Sequence, residues 1–62
     1  MADFVKLHET DDGKQTWARI DAIELIDDRD VGCMVWFTGA EGISVPRRAE
    51  ELINEIQSLR EG

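Results

Sequence analysis

Apolar and polar residues alternate from Phe4 to His8, with Val5 and Leu7 on one face and Lys6 and His8 sharing the other with Phe4. That two-residue period is the mark of a half-buried strand. Asp11-Asp12-Gly13-Lys14 interrupts it. Asp-Gly signals a hairpin, because the turn needs positive backbone angles that Gly accepts and Asp tolerates. A second strand is therefore predicted over 15–18, through Trp17. Alternation fails at Arg19-Ile20-Asp21-Ala22, which predicts a short turn or bulge. It resumes over 23–26, with Ile23 and Leu25 on one face and Glu24 and Ile26 on the other. Asp27-Asp28-Arg29-Asp30 is polar punctuation, and Gly32 can supply turn geometry before the strand predicted over 33–38. That strand is apolar on both faces, Cys33, Val35 and Phe37 pointing one way and Met34 and Trp36 the other, so both sides need cover. Gly39-Ala40-Glu41-Gly42 reads as a hairpin loop leading into a last strand over 43–45.

The period then changes. Pro46 ends the last strand and suits the first turn of a helix, where its missing N–H would be an orphan anyway. Ala49, Leu52, Ile53, Ile56 and Leu59 recur at helical spacing, with Glu50, Glu51, Asn54, Glu55 and Gln57 outside the stripe. A helix is predicted over 47–60, with Arg60 complementing the negative end of its dipole. The expected architecture is one α+β domain over 1–62, a small antiparallel sheet of four to five short strands packed by a C-terminal helix. The helix should cover the face bearing Val5, Leu7, Leu25, Val35 and Phe37. Trp36, Met34 and Ile26, with Phe4 or Trp17, would remain on the other. Such a patch exceeds what soluble monomers usually expose. A homodimer is therefore expected, the alternative being a sheet curved enough to wrap both aromatic faces into one core.

Size sharpens that expectation. A chain of 62 residues buries a small core, and small scaffolds usually need a staple. One cysteine, Cys33, leaves no internal disulfide, and one histidine, His8, leaves no Cys/His zinc set. Self-association is the staple that remains. No apolar run reaches the roughly 20 residues of a membrane span, and Asp3 stands where a signal peptide would be basic. A free thiol without a secretion signal predicts the cytoplasm. Fourteen acids against seven bases leave a net charge of −7. That charge argues against direct contact with phosphate backbones and favours a basic protein surface as partner.

Few residues here are suited to catalysis. A nucleophile needs a base within hydrogen-bond reach; His8 lies on a strand face beside Glu9, and Cys33 opens an interior strand where thiols are usually inert. Asp27, Asp28 and Asp30 lack the spacing, the central Gly and the terminal Glu of a calcium loop. Gly39 and Gly42 lack the Lys-Ser/Thr of a phosphate loop and lie between strands. Neither an enzyme nor a cofactor is expected. Arg47 and Arg48 do break a rule, since the first turn of a helix disfavours cations. They are read either as pairing with Glu50 and Glu51 or as a basic spot kept for a partner's carboxylates or phosphates. The candidate partner-binding residues are thus Asp27, Asp28, Asp30, Met34, Trp36, Arg47, Arg48, Glu50, Glu51 and Glu55.

The order of elements, with Val5-Lys6-Leu7, Asp12-Gly13-Lys14, Ile23-Glu24, Val35, Thr38-Gly39 and Val45 followed by Glu50-Glu51-Leu52-Ile53, resembles the small flagellar and swarming-motility proteins of the FlbD (SwrD) type. That resemblance implies a motility regulator acting through apolar contact. The stretch Ile43-Ser44-Val45-Pro46-Arg47 through Ile56 also resembles the end of CsrA-type RNA-binding dimers, which implies an RNA contact at Arg47. In composition alone the chain is similar to small acidic phage proteins, including anti-CRISPRs, that present carboxylates where phosphates would sit. The leading expectation is a non-catalytic, acidic inhibitor or adaptor that occupies a basic surface of a larger nucleic-acid-handling protein.

Overall fold

The computed structural model describes residues 3–39 and 41–61. Met1, Ala2, Gly62 and Ala40, the last within the expected four-residue loop, lie outside the described residues. The chain forms β1 (Phe4–Glu9), β2 (Gln15–Arg19), a single 3-10 turn (Ile20–Ala22), β3 (Ile23–Asp28), β4 (Cys33–Phe37), β5 (Gly42–Val45) and α1 (Ala49–Glu61). This is the expected α+β order, but the strands divide into two antiparallel sheets, β1-β2 and β3-β4-β5, rather than one. The 3-10 turn makes the division. It falls where alternation broke down in the sequence, and each sheet holds one end of it: Ile20 N–H donates to the Asp3 carbonyl at 2.9 Å, and Thr38 N–H donates to the Ala22 carbonyl at 3.0 Å.

The core is a seam between the sheets, closed by the helix. Val5, Leu7 and Ala18 come from the hairpin, Ile20 from the turn, Cys33, Val35 and Val45 from the second sheet, and Ala49 and Leu52 from α1; all are buried. Ile23, Ile26, Phe37, Ile56 and Leu59 pack around them half-buried. No polar side chain is buried among the described residues. The assembly thus rests on apolar burial, worth about 1.5–3 kcal/mol for each large side chain fully removed from water. No helix among the described residues is long and apolar enough to cross a membrane.

Three expectations are corrected. In β3 the register slips between Ile23 and Leu25: Ile23 pairs with Phe37, but Leu25 pairs with Trp36 and Ile26 with Val35. The extra residue, Glu24, shifts the phase of the strand, because side chains alternate strictly with position. Ile26 therefore packs on the core beside Val35, and Leu25 turns outward, 54% exposed. The helix begins at Ala49, not at 47, so Pro46 and Arg47 precede it. The Arg48 carbonyl accepts from Leu52 N–H at 3.1 Å, which makes Arg48 the residue flanking the first turn. That turn carries Glu50 and Glu51, the sign its dipole favours. On the helical stripe, Ile53 is exposed rather than buried.

Two glycines are set by their surroundings. Gly32 closes the β3–β4 turn at φ +76°, where a Cβ would lie 2.1 Å from the Val45 carbonyl oxygen and 2.8 Å from Pro46 Cα. Gly42 faces Trp36 across the β4–β5 ladder, and a Cβ there would lie 2.8 Å from ring atoms Cε3 and Cζ3. The indole thus lies over Gly42 and is half-buried within one chain. Gly32→Ala meets rigid backbone, and an equilibrium urea titration is expected to show loss of the cooperative transition. Leu52→Ala should lower unfolding free energy by about 2–5 kcal/mol in the same titration, a large part of the roughly 3–9 kcal/mol available to a domain of this size.

Candidate functional site

Register on the second sheet unites several of the residues singled out from the sequence. Directly opposed residues on neighbouring strands project to the same side. Leu25 opposes Trp36, while Asp27 opposes Met34, which opposes Ser44 on its other side. Leu25, Asp27, Met34 and Trp36 therefore share the outer face of that sheet, away from the seam. Met34 and Trp36 are half-buried, and Leu25 and Asp27 are exposed. Asp28 ends β3 opposite Cys33, and Asp30 lies in the turn that follows; both are exposed. Arg29 bends back onto Asp27 at 3.1 Å, an exposed pair that contributes little. Phe4 and Trp17 are also exposed, but they belong to the β1–β2 hairpin. The apolar set expected to lie on one face is thus split: Ile26 is in the core, and the hairpin aromatics are on a separate sheet.

Arg47 is engaged elsewhere. Its Nη1 donates to the Lys6 carbonyl at 2.8 Å. Nε reaches Glu51 Oε1 at 3.1 Å, Nη2 lies 3.0 Å from the same oxygen, and Nη2 also donates to Glu55. The side chain is only 20% exposed. Of the two sequence readings, internal pairing is the one realised, though with Glu51 and Glu55 rather than Glu50. The residue clamps β1 to α1 from the connection between β5 and the helix. Burial of the guanidinium opposes its charge, but the hydrogen bonds it donates to Glu55 and Glu51 outweigh that, and its pKa is raised. Arg48 and Glu50 are separate from this cluster, both exposed at the helix start.

Lys6 pairs with Glu9 at 3.2 Å, and Arg60 with Asp21 at 3.3 Å. Hydrogen bonds from Lys6 and Gln15 hold the Glu9 carboxyl below its ordinary pKa. A hydrogen bond from Thr10 does the same for Asp12 in the hairpin turn. Both groups favour the folded state above their ordinary pKa, and that contribution fades as acid protonates them. The Cys33 thiol is 1% exposed. Burial pushes its pKa up, and the nearby Asp28 adds to the effect against an opposing pull from Arg47. A thiol so placed stays protonated and withdrawn from attack.

A further feature was missed in the sequence. Between β3 and α1 runs an open groove of about 350 Å³, with Ile20, Ile23, Leu25, Ile26, Ile53 and Ile56 as its apolar lining and Glu24, Gln57 and Arg60 at its polar positions. The available signal was the adjacency of Leu25 and Ile26, two apolar neighbours in a strand otherwise edged with acids. Among the described residues no three of His, Cys, Asp and Glu converge on a point where a metal ion could be held. Comparison of the chain with protein-family models, with curated proteins and with solved structures yields no match in any of the three.

Two outcomes follow. Arg47→Ala leaves the Lys6 carbonyl and two carboxylates without their donor, and should cost about 1–3 kcal/mol in a urea titration. Arg47→Lys should recover only part of that, because one ammonium cannot reproduce a planar fork. For Cys33, trapping with a thiol reagent should be slow in the native state and rapid in denaturant. Since its folded pKa is raised, the associated stability is complete below the ordinary thiol value, 9.0, and is lost as pH rises through and beyond it. An alkaline melting series should show the loss, and Cys33→Ala should flatten it.

Proposed function

We propose that this chain is a non-catalytic, acidic protein-binding module of the cytoplasm, an inhibitor or adaptor that occupies a basic surface on a larger nucleic-acid-handling protein. The observation that carries this reading is the placement of charge. Four of the seven basic side chains, Lys6, Arg29, Arg47 and Arg60, are tied to acids within the chain. The net charge of −7 is thus left to exposed carboxylates. Asp27 lies on the outer face that bears Leu25, Met34 and Trp36, and Asp28 and Asp30 follow, exposed, at the end of β3 and in the turn beyond it. Carboxylates rimming aromatic and aliphatic side chains form a surface complementary to basic residues interleaved with apolar ones. The engagement of Arg47 supports this reading over an RNA contact at that residue.

A second reading has its own support. The order of elements is the one implied by resemblance to FlbD-type motility proteins, and a regulator of that kind would act through apolar contact. Salt separates the two. Exposed charges are screened over about 8 Å at physiological ionic strength and about 3 Å in 1 M salt. Capture from host extract on the immobilised chain should therefore yield a basic nucleic-acid-handling protein that is released in about 1 M salt. Its affinity should fall at least about tenfold for the Asp27→Asn, Asp28→Asn, Asp30→Asn variant. Capture that survives high salt and ignores the variant would support the motility reading instead.

A further inference from the structure

β3 is an edge strand. β4 lies on one side of it, and among the described residues no strand pairs with the other. An edge of this kind carries backbone N–H and C=O groups able to accept another strand. Here that free edge borders the groove whose opposite wall is the helix, with exposed Ile53 and half-buried Ile56. A segment laid along β3 would find a side-chain environment on each of its faces. One face would meet Ile23, Ile26 and Ile53, and the other would lie beside Leu25 and Asp27 on the outer face of the sheet.

We propose that this edge takes an extended, basic segment of the partner as an additional strand, apolar residues entering the groove and Lys or Arg alternating with them toward the carboxylates. The inference rests on the reading of the partner as basic and names where and how it is held. Charge selects this occupant over a second copy of the chain. β3 reads Ile23-Glu24-Leu25-Ile26-Asp27-Asp28, with three acids and no base. Paired antiparallel with itself about Ile26, so that each residue meets one of its own face, it would set Glu24 against Asp28 twice, and like charges placed opposite one another are destabilising. A strand alternating Lys with Val reverses the sign of those contacts and keeps the apolar ones. The exposed Arg29–Asp27 pair is weak enough to yield to it. Strand addition of this type draws affinity from main-chain hydrogen bonds and specificity from pockets for alternate side chains.

The probe is a synthetic peptide whose central six residues, the length of β3, alternate Val and Lys. Its controls are the Val/Glu peptide and a version with one central Pro, which cannot donate to a ladder. Amide shift changes on adding the Val/Lys peptide should concentrate at Ile23–Asp28 and on the Ile53–Arg60 side of α1. The Val/Glu and Pro peptides should bind at least about tenfold more weakly. Leu25→Ser and Ile53→Ser alter exposed side chains and should keep the fold while weakening binding about tenfold. Val31→Ser, at an 83% exposed turn position, should leave binding unchanged. Equal binding of the Val/Lys and Val/Glu peptides, shift changes centred elsewhere, or concentration-dependent self-pairing at Ile23–Asp28 would overturn the inference. Salt-sensitive capture of a basic protein with no peptide bound at β3 would sink the edge site and leave the proposed function standing; absence of both would sink the two together.

Discussion

No ladder of strand hydrogen bonds joins β1-β2 to β3-β4-β5, so the two sheets hold together mainly through the apolar seam between them. A lone two-stranded hairpin is marginal in water, and here it gains its stability by pressing Val5, Leu7 and Ala18 against Val35, Val45 and Leu52. Everything else follows from that seam. The helix is placed by Leu52, the thiol of Cys33 is sealed by it, and Arg47 braces its margin by tying the Lys6 carbonyl to two helical carboxylates. Because all the buried side chains among the described residues are apolar, geometric fit within the seam decides which arrangement wins.

Much of this was legible in the sequence where periodicity is strong. Val5 with Leu7, Val35 with Phe37, and Ala49 with Leu52 declared their faces through periods of two and of 3.6, and the structure keeps them there. The Asp12-Gly13 turn and the break at Ile20 were equally clear. What failed were features decided by one residue of phase. The bulge at Glu24 exchanges the faces of Leu25 and Ile26, and nothing in a strictly local pattern announces an extra residue. The start of the helix was placed early because Pro46 is as acceptable in a first turn as just before one. The candidate site was legible only in part. Met34 and Trp36 were put on one face by alternation, but the place of Asp27 beside them depends on the register between β3 and β4. Arg47 was correctly suspected of pairing, but its link to Lys6, 41 positions away in the chain, lies beyond any local reading.

Charge and apolar surface are also segregated. The bases Lys6, Arg29, Arg47 and Arg60 are engaged with neighbouring acids, while Asp27 shares a face with the exposed Leu25 and the half-buried Trp36, and Asp28 and Asp30 follow it, exposed, along the chain. Trp36 is partly satisfied by lying over Gly42, which removes much of its ring from water without a second chain. The result is a surface with modest apolar content and a strongly acidic border, suited to an encounter that charge steers and short-range packing completes.

The 3-10 turn has one more implication. Held at Ile20 by Asp3, just before β1, and at Ala22 by Thr38, just after β4, it restrains the swing of the hairpin relative to the three-stranded unit. A molecule jointed this stiffly meets a ligand with its recognition geometry already assembled, so little ordering entropy has to be surrendered on association. Loosening that joint would be felt as weaker affinity at a distance, even with each contacting side chain left intact.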